Sequence, residues 1–259
     1  MSFQAIRDQL VQAEATCTPI GPVSDLVEGG LSLDDAHTIC EANIKARIDA
    51  GESRRGYKVG FTNIPVRDKM GLPDSTYGYL LDSMVLESGG TFDMSELIAP
   101  KIECEICFQL KAPLSGKSLT IDQVLAATSG VRASFEICDA RIKDWKCPYA
   151  DFFADNGFSA RVILGGTGWV DPQDVDLLEV EVALSREGVE LARGKGQDAM
   201  GHPANAVAWL AGKLADRDLA LEAGDLVMTG TLTPIIPIEA PATYEAAFST
   251  LGSVTKLFS

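Results

Sequence analysis

Pro100-Lys101-Ile102-Glu103-Cys104-Glu105-Ile106-Cys107-Phe108-Gln109-Leu110 opens on a proline and then alternates like a strand from Ile102 to Leu110. Side chains two apart on a strand share a face, so Glu103 and Glu105 lie side by side. Ile102, Cys104 and Ile106 take the other face, towards a core. Two parallel carboxylates repel each other unless a cation, a proton or solvent separates them. On these residues alone, a solvated outer face is the ordinary reading.

The texture on either side of this stretch decides the fold class. Tyr57–Phe61, Ala133–Cys138, Ser159–Leu164, Leu177–Leu184, Asp225–Thr229 and Ser253–Phe258 read as further short strands. Helices are predicted at about 121–128 and 204–215, the second apolar at Val207, Leu210 and Ala211. Strands outnumber helices without alternating strictly with them. That pattern predicts an α+β fold with a mixed or rolled sheet, not a doubly wound one. The first 50 residues read as helical. Phe3, Ile6 and Leu10 recur at helical spacing, Ser32 is a natural N-cap, and Ala36, Cys40, Ile44 and Ile48 mark one face before Gly51. We therefore divide the chain into an N-terminal helical region, 1–55, and a β-roll catalytic domain, 56–259.

Composition narrows the function. The 259 residues carry 37 acidic and 22 basic side chains, a formal net charge of -15. Such a surface repels phosphate backbones, and nucleic acid is not an expected partner. No apolar run approaches the roughly 18 residues a membrane span needs. The charged start, MSFQAIRDQL, does not resemble a signal peptide, so a cytoplasmic protein with reduced thiols is expected. Cys104 and Cys107 form a CxxC whose members point to opposite faces of a strand, which disfavours a shared metal. Two histidines, His37 and His202, are too few for a histidine-rich zinc site. Both read as structural.

A third acid changes the reading of the first two. Glu136 lies in another apolar strand, Ala133-Ser134-Phe135-Glu136-Ile137-Cys138. If the two strands are neighbours, three carboxylates converge, and three oxygen donors without histidine suit a hard octahedral cation, Mg²⁺ or Mn²⁺. A substrate with adjacent carboxylate and keto oxygens can chelate such an ion. Lys58, flanked by Tyr57, Val59 and Phe61, is the accompanying candidate, because a lysine in an apolar strand is costly unless its charge is paired or used. Burial and a metal are expected to lower its pKa.

The ordered series is what becomes recognisable. It runs from Gly56-Tyr57-Lys58-Val59-Gly60-Phe61-Thr62 through Tyr77-Gly78, Pro100-Lys101-Ile102-Glu103-Cys104-Glu105 and Phe135-Glu136-Ile137-Cys138-Asp139-Ala140-Arg141. Ala154-Asp155-Asn156, Gly201-His202-Pro203, Ala223-Gly224-Asp225 and Leu251-Gly252-Ser253 follow. Across nearly the whole chain this resembles the hydratase/decarboxylase family of the fumarylacetoacetate-hydrolase superfamily. The resemblance implies a homo-oligomer with Mg²⁺ or Mn²⁺ on Glu103, Glu105 and Glu136, and Lys58 and Asp155 as catalytic residues. It also implies Thr76, Asn156, Ser159, Gly230, Thr231 and Leu232 as contacts for a 2-oxo or 2-hydroxy dienoate.

The implied reaction adds water to a 2-hydroxy-2,4-dienoate, giving a 4-hydroxy-2-oxo acid, in the catabolism of aromatic compounds. Decarboxylation of a 4-oxalocrotonate-type diacid is the alternative, and a catalytically silent metal-binding homologue a minor one. One departure bears on the choice. Hydratases of the family tend to carry an aspartate where this chain has Thr76, two residues after Asp74. That loss favours the decarboxylase, whereas Arg141-Ile142-Lys143-Asp144-Trp145 and Asp82-Ser83-Met84 favour the hydratase.

Overall fold

The computed structural model describes residues 1–166 and 168–259. Ser2 and Ser32 are both extended, and their hydroxyls accept the backbone N–H groups of Ala5 and Asp35. These side-chain caps start helices α1 (Phe3–Ala15) and α2 (Leu33–Asp49). Next come β1 (Arg54–Gly60), α3 (Ile64–Lys69), β2 (Thr76–Leu81), β3 (Val85–Glu87), β4 (Thr91–Phe92) and β5 (Lys101–Leu110). A Thr120–Gln123 capping box begins α4 (Ile121–Ala127), which leads into β6 (Thr128–Cys138). Then follow α5 (Tyr149–Ala154), β7 (Ser159–Leu164), β8 (Glu181–Arg186), β9 (Val189–Lys195) and α6 (Pro203–Ala215). The chain closes with β10 (Leu226–Met228), β11 (Ile236–Pro237), β12 (Ala242–Phe248) and β13 (Gly252–Phe258).

The strands form two sheets. An eight-stranded sheet runs β2-β1-β10-β5-β6-β7-β3, with β11 also on β5, and a five-stranded sheet runs β4-β13-β12-β8-β9. The larger sheet is mixed, since β1 pairs parallel to β10 and β3 parallel to β7 while its other pairs are antiparallel. This is the α+β architecture with a mixed sheet expected from the strand pattern. The predicted strands at 102–110 and 133–138 are β5 and the second half of β6.

The register of that pair positions the site. Glu103 lies directly opposite Glu136, Glu105 opposite Ser134, and Lys101 opposite Cys138. Ile6, Leu10, Ile39 and Ile44 of the N-terminal helices pack into the same continuous core as Ile102, Phe108, Phe135 and Val254 of the sheets. A smaller cluster lies apart from it, built on Ala140, Ile142, Phe152 and Phe158 with Phe61, Trp145, Cys147 and Tyr149 against them.

The strand expected at 177–184 differs most from the observed one. Leu177–Val180 does not continue β8, which begins at Glu181. Asp176 bends the chain there: its carboxylate accepts the N–H of Leu178 at 3.2 Å and its carbonyl that of Glu179 at 3.2 Å.

Candidate active site

Strand alternation puts Glu103 and Glu105 on one face of β5, and antiparallel pairing brings Glu136 and Cys138 of β6 onto the same face. Glu105 and Glu136 are essentially inaccessible, at 0% and 1% exposure. Glu105 Oε2 accepts the N–H of Gly230 at 2.8 Å, while its Oε1 has no partner. Neither oxygen of Glu136 makes a hydrogen bond, although Oε1 lies 3.1 Å from the ammonium of Lys58. Lys58 stands on β1, separated from β6 by β10 and β5, so only the curl of the sheet brings the two together. Its Nζ also donates to Cys138 Sγ at 3.9 Å, and that thiol donates to Glu103 Oε2 at 3.6 Å.

The electrostatics follow from burial. Desolvation, then the neighbouring Glu136, pushes the Glu103 carboxyl up to about 7. Burial with Glu136 and Glu103 holds Glu105 well above the ordinary carboxylate range. Burial acts on Lys58 in the opposite sense, but Cys138, Glu136 and Glu103 outweigh it and raise the ammonium above its ordinary value. Without a cation on these acids, the lysine therefore lies above its ordinary value, not below it. The nearby carboxylates stabilise the charge by more than desolvation costs.

A divalent cation fits these residues. The buried carboxyls of Glu105 and Glu136 and the half-buried one of Glu103 share this face with Lys58, and three of their oxygens lack any hydrogen-bond donor. The donor atoms lying within 4.8 Å of one another belong to Glu103, Glu136 and Cys138, whereas Glu105 is drawn aside by Gly230. Burial, then Glu103 and Glu136, pushes the Cys138 thiol up and keeps it protonated. Oxygen donors are therefore the better match to a hard ion, and Glu105 a better partner for it than Cys138.

A cavity of about 590 Å³ opens over this face, lined by Lys58, Glu103 and Cys138 and by Thr76, Thr231 and Leu232. Thr62 and Thr233 also line it, and their buried hydroxyls have no partner. Neither threonine stood out in the sequence, because nothing in its spacing marks a hydroxyl that folding leaves unpaired. Gly230 has φ +93°, and a Cβ there would fall 1.8 Å from Thr62 Oγ1, so glycine is required for its N–H to reach Glu105. Among the described residues no histidine lines this cavity. His37 sits 3.3 Å from the Tyr77 hydroxyl through Nδ1, and His202 caps α6 by accepting the Ala204 N–H.

Three expected site residues face elsewhere. Asp155 is buried against Arg141, accepting its backbone N–H at 2.9 Å as well as its guanidinium. Burial pushes Asp155 up to about 7 against the pull of that arginine. Asn156 bridges the backbone of β2, accepting from Tyr79 N at 2.7 Å and donating to Tyr79 O at 3.0 Å. With Ser159 they open on a second cavity of about 370 Å³ beside α1 and α2. Asp155 and Asn156 are thus engaged by Arg141 and Tyr79, whereas the buried Ser159 hydroxyl has no partner. Asp74 is likewise turned away, held 2.7 Å from Lys213 Nζ and 3.0 Å from Trp209 Nε1.

Comparison with known proteins agrees with this geometry. Residues 66–257 match the fumarylacetoacetate (FAA) hydrolase C-terminal family. The chain is 35% identical over 257 residues to a 2-keto-4-pentenoate hydratase of Burkholderia vietnamiensis, covering 99% of this chain and 97% of that one. It is 36% identical over 229 residues to a 4-oxalocrotonate decarboxylase of a Pseudomonas species, covering 88% and 86%. A solved 4-oxalocrotonate decarboxylase from Pseudomonas putida G7, complexed with magnesium and adipate, superposes with a TM-score of 0.92 at 31% identity. That match covers 100% of this chain and 99% of the other.

Proposed function

Because this chain belongs to the fumarylacetoacetate-hydrolase family, we propose that it is a metal-dependent lyase that hydrates a 2-hydroxy-2,4-dienoate to a 4-hydroxy-2-oxo acid. The reading is supported by Lys58 and Glu103 lining one cavity, with the buried Glu136 3.1 Å from the Lys58 ammonium and Glu105 on the same strand face as Glu103. The three carboxylates would hold Mg²⁺ or Mn²⁺. When bound, that ion supplies Lewis-acid stabilisation of negative charge at the substrate C2 oxygen.

The remaining steps belong to the protein. Lys58 holds a proton at Nζ and delivers it to C5 of the diene. The neutral amine then takes the proton released by the C2 hydroxyl, giving a 2-oxo-3-enoate. Water adds across C3 and C4, with its oxygen on C4 and its proton on C3. The unpaired hydroxyls of Thr62 and Thr233 and the side chain of Thr76 are the groups available to orient it.

Decarboxylation is the second reading, and one observation favours it. Thr76 lines the cavity where relatives that hydrate tend to place an acid, and Asp74 is engaged by Lys213 and Trp209. In that reaction a carboxylate on C5 leaves as CO₂ and C5 takes up a proton. Protein loaded with Mg²⁺ or Mn²⁺ and offered 2-hydroxypenta-2,4-dienoate and 4-oxalocrotonate separately distinguishes the two. Loss of diene absorbance with a 4-hydroxy-2-oxo product supports hydration, and CO₂ release supports decarboxylation. Turnover of neither sinks both and leaves the silent homologue. The homo-oligomer implied by the resemblance and the cytoplasmic location expected from the charged N-terminus belong to the same proposal, and no helix of the described residues is long and apolar enough to cross a membrane.

A further inference from the structure

One wall of the cavity is aromatic, and the reaction as described makes no use of it. Trp145, Phe158, Phe152 and Phe61 form a continuous row, with successive ring centroids 5.2, 4.8 and 4.9 Å apart. All four line the cavity. The row starts beside the acidic floor: Lys101, opposite Cys138 and two residues from Glu103, places its ammonium 4.0 Å from the Trp145 ring centre. It ends near Val66 and Met70, which line the same cavity and are about half exposed. These rings belong to the small cluster set apart from the main core, so their packing does not hold the sheets together.

The backbone points the same way. Phe61, Trp145 and Phe158 have φ of +57°, +59° and +61°, the left-handed region that bulky side chains avoid. They are the three aromatic residues of the described chain in that conformation, and all three are on this wall. Strain retained at several lining residues is characteristic of places where a side chain is held for a ligand. The cavity, at about 590 Å³, is also several times larger than a five-carbon acid needs.

We propose that the Trp145–Phe158–Phe152–Phe61 row is a subsite for a planar apolar substituent on C5 of the dienoate, and that the preferred substrate carries one. This rests on the dienoate reading above. The carboxylate end of the substrate meets the floor and the far end stacks along the rings, where offset or edge contacts add to simple burial. Besides Lys58, the cations among the described lining residues are Lys101, at the near end of the row, and Arg193. Lys101 already lies on the Trp145 ring, and Arg193 is paired with Glu190.

The test compares kcat/KM for three metal-supported reactions of the same protein, with 2-hydroxypenta-2,4-dienoate, its 5-phenyl derivative and its 5-carboxy derivative. The expected result is a preference of about tenfold or more for the phenyl compound over the unsubstituted one. Phe61→Leu and Trp145→Leu are each expected to cut that ratio several-fold. The ratio is taken within one preparation and does not depend on how much of a variant is correctly folded. Equal or lower kcat/KM for the phenyl compound, or preference for the carboxy compound, overturns the subsite while the dienoate reading stands. Unchanged ratios in both variants overturn it as well. Turnover of none of the three overturns the dienoate reading and the subsite with it.

Discussion

Glu105 is held differently from its two neighbours, since one of its oxygens is occupied by the Gly230 N–H and the other is free. Glu105→Gln keeps an acceptor for that N–H and removes one charge. Divalent-cation affinity is expected to fall at least about 100-fold by calorimetry, because even losing an outer hydrogen-bond partner of a ligand costs 10- to 100-fold. Titration separates the acids from the half-buried His37. In metal-stripped protein the folded value of Glu103 is about 7 against an ordinary 4.5, so the folded state binds the proton more tightly. Its contribution is complete below pH 4.5 and is lost as pH rises through 7. His37 has the opposite sign, because burial lowers it to about 4 from 6.5. Its contribution is complete above pH 6.5 and is lost as pH falls through 4. The windows overlap and oppose each other, so His37→Gln is expected to steepen the fall in urea midpoint of stripped protein between about pH 5 and 7, a fall that added Mg²⁺ relieves. The glutamates were legible in sequence because alternation on two strands needs only residue order. The unpaired threonines were not, because whether a hydroxyl finds a partner depends on residues far away in the chain.

At the scale of elements, the turn between α5 and β7 works on both of its sides. Asp155 and Asn156 face the N-terminal helices and β2, while Gly157 and Phe158 face the cavity. The resemblance implied Asp155, Asn156 and Ser159 as site residues together with Thr76 and Thr231, whereas the first three line one cavity and the other two another. In a tight turn with Asn156, Gly157 and Phe158 all at positive φ, neighbours diverge. Gly157 is the critical member. A Cβ there would lie 2.9 Å from Lys58 Cε and 3.2 Å from the Tyr77 carbonyl, at a φ of +61°. Gly157→Ala is expected to cost about 1–2 kcal/mol from the left-handed backbone alone, read by urea denaturation. It should also lower kcat, since the lysine has to move. The strands of the site were readable from their period, whereas β2 was not: all six of its residues are buried, so it carries no inside–outside alternation.

The whole molecule assembles its candidate site from positions 58, 103, 105, 136 and 230, which lie on β1, β5, β6 and the loop after β10 and meet only in the folded sheet. The N-terminal helices pack into the core beneath that sheet. Ile6, Leu10, Ile39 and Ile44 are buried in the shared core, and Arg141, which grips Asp155, lines the cavity beside α1 and α2. A fragment of residues 56–259 is therefore expected to lack cooperative unfolding, checked by circular dichroism against urea. The division at 55/56 is one of composition, visible in sequence; the packing across it depends on contacts that sequence order does not record. The Glu103–Glu136 pairing carries a further consequence, for how the chain reaches its native state. Slipping β6 by one residue against β5 would set Phe135 or Ile137 opposite Glu103 and turn Glu136 to the other side of the sheet. A cation that binds only the correct pairing acts as a proofreader, withdrawing correctly aligned chains from a pool of misaligned ones. Refolding from urea with millimolar Mg²⁺ is accordingly expected to raise the yield of native protein over refolding in chelator, and the Glu136→Gln protein to lose most of that gain.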